Sequence, residues 1–325
     1  MTEKQVEYRR LGASGLKVSV PIIGAMSFGS SEWNPWVLNE EPSLEILKAA
    51  WDRGINTIDT ANLYSNGESE RIIGVFLEKY NIPRNQIIIA TKCYGITADK
   101  PSIRAYAQPE LANTRQYVNQ RGLSRGAIFN AVDASLERLK TPYIDLLQIH
   151  RFDPDVPAEE TMKALHDLVQ NGKVRYIGAS SMRAWQFALL NEVAARNGWT
   201  KFEREMLAYC KFNGIGVIPW GPLAAGDLAR PLDASETTRS SMGKASKSKA
   251  DETIISRVEE LAKKRGVPMA QISLAWVASK IASPIVGTSS IQRLEENILS
   301  GLTLDEEEIK YLEEPYVPKP VRNHA

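Results

Sequence analysis

The sequence predicts an α/β protein, a (β/α)8 barrel of the TIM type with an N-terminal β-hairpin, and three observations predict it. Short apolar strands alternate with amphipathic helices along almost the whole chain, the order that gives parallel strands joined by crossover helices. Ionisable residues stand at the exits of successive strands, Asp59, Lys92 and His150, and in a parallel barrel those exits converge on one face. The first strand is not followed by the GxGxxG fingerprint of an open dinucleotide-binding sheet. Closed barrels of about this length fold as one unit, so residues 1–325 are read as a single domain.

Each element has its own signal. Glu7–Leu11 and Leu16–Val20 flank a Gly-Ala-Ser-Gly turn and read as a hairpin. Ile22–Ala25 is the first barrel strand, followed by a loop carrying Trp33 and Trp36. Leu44, Leu47, Ala50 and Trp51 give Pro42–Arg53 helical spacing. Ile55–Ile58 is the second strand, leaving through Asp59 to a loop bearing Tyr64, and Ser69–Tyr80 is the helix after it. Ile87–Thr91 is the third strand. The polar segment Tyr94–Ser124 that follows is long for a compact domain, and such loops are usually functional.

Ser124 is placed to cap a helix over Arg125–Leu139. Strand Tyr143–Ile149 delivers His150; helix Ala158–Asn171 stops at Gly172; strand Val174–Ala179 delivers Ser180 and Ser181; helix Ala184–Asn197 stops at Gly198. A sixth strand is then due. Instead, Glu203–Met206 enters a helix directly after Phe202, about a dozen residues short of the barrel template. Either the polypeptide has lost strand 6, as altered splicing would produce, or residues are missing from a continuously numbered chain. A true loss exposes two sheet edges and weakens cofactor binding, unless a segment such as Thr200–Phe202 shifts into the opening. Gly216–Pro219 resumes the pattern, then the loop Gly221–Leu228, a Ser/Lys-rich run Ser235–Lys249, helices Asp251–Arg265 and Met269–Ser279, strand Ser283–Val286, helix Ile291–Leu299 and an extra helix Asp305–Glu314.

With 43% hydrophobic and 24% charged residues the composition is that of a soluble globular protein, and a net charge of +1 gives no field favouring nucleic acid. Two distant cysteines, Cys93 and Cys210, fit reduced thiols, and no metal-ligand spacing occurs. The first residues hold no apolar leader and no window reaches a membrane span. The expectation is a cytoplasmic protein with small-molecule partners, no metal, no nucleic acid and no membrane.

Adjacent parallel strands lie about 5 Å apart, so Asp59, Lys92 and His150 can meet, and Tyr64 can reach over them. A phenol is a poor acid, with a pKa near ~10. A neighbouring ammonium lowers it; Lys92 supplies that charge, Asp59 holds Lys92, and His150 orients a substrate oxygen. The set is a general acid poised to protonate an oxygen while a hydride reaches its carbon. No side chain is a hydride source, so a nicotinamide cofactor must supply it. Singly, each residue has a plainer reading: an ion pair, a structural histidine, a surface tyrosine. Four together at successive exits make that reading weak.

These residues carry a resemblance. GINTIDTANLYSNGESERIIG (54–74), the strand ending in Ala-Thr-Lys at Lys92, DLLQIHR around His150, VRYIGASS (174–181) and IVGTSSIQRLEENI (285–298) resemble the aldo-keto reductases from about Arg10 to Leu299. The segment Gln120-Arg121-Gly122-Leu123-Ser124-Arg125 is similar to the fungal aryl-alcohol dehydrogenase branch. The resemblance implies Tyr64 as proton donor, tuned by Lys92 and Asp59, with His150 binding the carbonyl. It implies NADPH, with the carboxamide near Ser180 and Ser181, where many relatives carry Asn at the second position. Asp59 also borders the cofactor, the ring stacks on Trp220, and the pyrophosphate lies under Gly221, Pro222, Leu223, Gly226 and Leu228, with Arg230 beyond. The adenosine phosphate meets Ser289 and Arg293, with Glu296 and Asn297 at the adenine. An arginine fork matches a phosphate, which favours NADP over NAD.

Trp33 and Trp36 are read as lining a substrate pocket with Tyr64 and His150, and Cys93 as an inert thiol. The function expected is reversible NADPH-dependent reduction of an aryl aldehyde or related carbonyl. The alternative is a cofactor-binding regulatory subunit with little turnover.

Overall fold

The computed structural model of the chain describes residues 6–202, 210, 214–235 and 247–319. Strands β1 (Glu7–Arg10) and β2 (Lys17–Val20) form the antiparallel hairpin, in register Glu7↔Val20 to Arg10↔Lys17. The barrel strands are β3 (Ile22–Gly24), β4 (Thr57–Asp59), β5 (Ile88–Cys93), β6 (Ile144–Ile149), β7 (Val174–Ala179) and β8 (Ile285–Gly287), all parallel and paired in the order β7-β6-β5-β4-β3-β8. Strand β6 is buried at every position, as a strand covered on both faces must be.

Helices α1 (Glu40–Asp52), α2 (Glu68–Lys79), α3 (Arg125–Leu139), α4 (Ala158–Gln170), α5 (Ala184–Arg196), α6 (Lys249–Arg265), α7 (Met269–Ala278), α8 (Ile291–Glu296) and α9 (Glu306–Glu313) surround or follow the sheet. Ser124 caps α3, its Oγ accepting from Ala127 N. Helix α1 begins two residues before Pro42 because proline is compatible with a helix's first turn. Helix α8 ends at Glu296 rather than Leu299, and the Tyr94–Ser124 segment contains two short 3-10 turns, Ala105–Ala107 and Pro109–Asn113.

Pairing extends beyond β8. Trp220 makes a parallel bridge with Ile285, and the amides of Ala282 and Ile285 donate to the carbonyls of Val217 and Pro219. Residues 216–219 thus hold the seventh barrel position, though by this sparse pairing rather than a full ladder. Among the described residues nothing pairs as a strand between this segment and the free side of β7. Thr200–Phe202 does not fill the opening. Phe202 packs on Phe187 at 5.6 Å between ring centroids, and its amide donates to Asn191 Oδ1, so the segment folds onto α5. The helix expected from Glu203 and most of the Ser235–Lys249 run lie outside the described residues.

The hairpin lies across the strand starts. Ser19 N donates to Oγ1 of Thr57, the first residue of β4, and Ser283 Oγ, ahead of β8, donates to Ser19 O. Leu11, Leu16 and Val18 pack with Ile22, Leu146, Ile218 and Ile285 in one buried cluster at that end. The tip is close-fitted: a Cβ on Gly12 would come within 2.2 Å of Gly216 N, and Gly12 has φ +60°. Only glycine meets both demands cheaply.

Candidate active site

Backbone hydrogen bonds continue the parallel pairing past the strand ends. Thr60 N donates to Ala90 O, Asn62 N to Lys92 O, His150 N to Cys93 O and Ser180 N to Ile149 O. These bonds set Asp59, Lys92, His150 and Ser180 at neighbouring exits. Tyr64 is carried there by a tight turn in which Ser65 and Asn66 both take left-handed conformations, φ 49° and 53°. Such strain persists only where surroundings enforce it. Ser65 is buried and its Oγ accepts from Ser30 N; Asn66 Nδ2 donates to the carbonyls of Lys100 and Ile103.

Lys92 and Asp59 are both buried, with Nζ 2.5 Å from Oδ1. Lys92 Nζ also donates to Thr60 O at 2.8 Å, and Gln148 Nε2 donates to Asp59 Oδ2 at 3.0 Å. The carboxylate is thereby shared between an ammonium and an amide, which holds Lys92 in one position. The ammonium is 5.3 Å from the Tyr64 ring centroid, close enough for its charge to act on the phenol. The rings of Tyr64 and His150 meet edge to face at 5.9 Å.

The expected sign of the Tyr64 shift is corrected here. Burial of the hydroxyl raises the phenol above its ordinary value, and this outweighs the pull of Lys92, which Asp59 partly offsets. Tyr64 is therefore a phenol held protonated. Burial, then the charges of Lys92 and Arg151, hold His150 well below the ordinary imidazole value, so it is neutral. Its buried Nδ1 has no hydrogen-bond partner, and neither has the buried Oδ1 of Asn62. Buried orphans of this kind are uncommon and call for a ligand or water.

The other sequence-chosen residues fall in three places. Ser180 is buried; Ser181 takes φ 52°, and its Oγ accepts from Trp220 Nε1 at 3.3 Å across the unpaired side of the sheet. Trp220 is 62% exposed, so it is not core. Gly221 is open beyond its Cα, Pro222, Leu223, Gly226 and Leu228 are half-buried, Leu228 O accepts from Ser273 Oγ, and Arg230 reaches back to the carbonyls of Gly226 and Ser235. At β8, exposed Arg293 donates to Ser289 Oγ, Glu296 accepts from Gln292 and Asn297 is buried. The Arg293 amide already donates to Ser290 Oγ, so anion attraction there falls to the guanidinium.

Trp33 is buried and Trp36 half-buried, with ring centroids 6.3 Å apart. Trp33, but not Trp36, Tyr64 or His150, lines a cavity of about 260 Å³ with Leu63, Tyr94, Tyr106 and Arg121. Gln148, Asn62 and Arg151 were not singled out from the sequence. Gln148 carried a signal: it is polar within an apolar strand, two residues before His150 and so on the same face.

Comparison with known proteins follows this geometry. The aldo/keto reductase family model matches residues 22–316.

The chain belongs to the aldo/keto reductase family.

An aldo-keto reductase of Fusarium vanettenii is 51% identical, over all of this chain and 95% of that protein. A versiconal hemiacetal acetate reductase of Aspergillus parasiticus is 49% identical over 97% of this chain and 98% of its own length. A Schizosaccharomyces pombe protein carrying an aryl-alcohol dehydrogenase name is 48% identical over 97% of each. The family fold is the (β/α)8 barrel, in accord with the seven strand positions described. The Fusarium alignment spans 352 positions against the 325 residues of this chain. That relative therefore has residues without a counterpart here.

Proposed function

We propose that this aldo-keto reductase reduces an aldehyde or ketone, aryl aldehydes foremost, to the alcohol using NADPH, with Tyr64 as proton donor. The observation that carries the reading is the Tyr64–Lys92–Asp59 grouping, in which a buried ammonium lies 5.3 Å from the phenol ring centroid and is itself fixed by a buried carboxylate. With the Lys92 ammonium beside its ring, Tyr64 directs its proton at the carbonyl oxygen. Neutral His150 hydrogen-bonds that same oxygen. A bound NADPH would supply the hydride for the carbonyl carbon. As negative charge grows on the oxygen, the phenol proton transfers to it and Lys92 stabilises the phenolate left behind.

Exposed Trp220, open Gly221 and the arginines 230 and 293 suit an aromatic ring and phosphates. Replacing Tyr64 with Phe is expected to abolish aldehyde-dependent NADPH consumption while leaving NADPH binding, read by fluorescence, intact. Undiminished turnover would remove Tyr64 from the role. The second reading, a cofactor-binding regulatory subunit with little turnover, is excluded by turnover of the wild-type chain.

A further inference from the structure

We propose that Arg121 and the cavity beside the Tyr64 turn form a subsite for carbonyl compounds that carry a carboxylate, an aromatic oxo-acid or formyl-acid in class. This rests on the reductase reading and narrows its substrate.

The cavity shares a wall with the catalytic turn. Leu63 and Asn66, on either side of Tyr64–Ser65, line it, as does Tyr94, two residues beyond Lys92. Its remaining surface is mainly apolar and aromatic, and Trp33 and Tyr106 in its lining meet edge to face at 5.8 Å. A cavity of about 150 Å³ takes a benzene ring; this one, about 260 Å³, has room for a substituted ring. The walls are preformed. Asn66 ties the catalytic turn to Lys100 and Ile103, and Arg104 Nε donates to Trp33 O at 2.7 Å.

Arg121 is the charged residue in the lining, and no acid accompanies it. Its guanidinium stands 5.8 Å from the Tyr94 ring centroid, and among the described residues no carboxylate pairs with it. The nearby acids are otherwise engaged. Asp99 accepts from Gln116 and Tyr117, and Asp153 accepts from the amides of Leu123 and Asp155. An unpaired guanidinium held over a ring at the edge of an apolar slot fits a planar carboxylate attached to an apolar body. The lack of any acid in the wall leaves nothing to repel that anion.

The test compares 4-carboxybenzaldehyde with benzaldehyde, following NADPH consumption by the wild type, Arg121→Met and Arg121→Lys. Calorimetric binding of 4-(hydroxymethyl)benzoate to the same three proteins runs alongside. The wild type is expected to prefer the carboxylated aldehyde by about tenfold or more in kcat/KM, the difference lying in KM. Arg121→Met should erase that preference, and Arg121→Lys should keep part of it because charge remains without the fork. Equal kcat/KM for the two aldehydes in the wild type, or an unchanged preference in Arg121→Met, overturns the subsite. Should neither aldehyde turn over, the reductase reading fails separately. The binding arm then decides: about tenfold weaker binding in Arg121→Met sustains the subsite, and equal binding ends it.

Discussion

Glu70 is fully buried and its carboxylate lies 2.7 Å from the guanidinium of Arg138, while its other oxygen accepts from Thr91 Oγ1. One side chain of α2 thus ties α3 to β5 directly beside Lys92. Removing one partner of a buried pair strands a charge and costs about 3–5 kcal/mol. Arg138→Met is expected to fall toward the lower end, because Arg138 is partly exposed and Thr91 still serves Glu70. Urea unfolding of wild type and variant measures it; a loss well under 1 kcal/mol would mean water replaces the guanidinium freely.

A second expectation concerns pH and rate. The Tyr64 phenol lies above its ordinary 10.0 and the His150 imidazole well below its ordinary 6.5. Between those values neither changes charge, so kcat/KM should be level from about pH 6.5 to 10. It should fall only above that range, where the donor loses its proton. A profile of initial rates across this span, with an alkaline limb near pH 8, would contradict the burial argument.

The same histidine bears on stability. Because its native value is depressed, the unfolded chain binds a proton that the native state refuses once pH drops below 6.5. Stability is therefore complete above 6.5 and declines as pH falls below it. His150→Gln should flatten that decline, which thermal melts at pH 5 to 8 would reveal.

Helix packing beneath the site depends on Gly74. A Cβ there would stand 2.4 Å from Arg138 O and 3.0 Å from the Leu139 carbonyl carbon, both backbone atoms that cannot swing away. Gly74→Ala should cost about 1–3 kcal/mol despite its better helix propensity. A stabilised variant in the same urea assay would show that α2 and α3 can separate without penalty.

Cys93 follows Lys92 on β5 yet is no nucleophile: burial pushes its thiol up to about 12. Iodoacetamide at pH 8 should leave Cys93 unlabelled in the native protein and label it after denaturation, as peptide mapping would record.

Strand exits were the legible part of the sequence. Asp59, Lys92 and His150 announced themselves as polar residues ending apolar runs, and period-two geometry did the rest. Tyr64 was read from the sequence as the acid, but with the wrong direction of shift, since desolvation depends on what covers the hydroxyl, and no residue string records that. Arg121 was noticed only as part of a motif; that no carboxylate among the described residues pairs with it is a fact of three-dimensional placement. The sixth strand was expected to be missing from the sequence after Phe202, whereas the docking of Phe202 onto Phe187 and Asn191 of α5 depends on how the chain turns back and not on any local residue pattern.

The apolar cluster formed by Leu11, Leu16 and Val18 separates two duties of the fold. It covers the strand starts, at the end opposite the exits that carry Asp59, Lys92 and His150. Loosening it should therefore lower the melting temperature before it alters KM, because the hairpin never meets the chemistry.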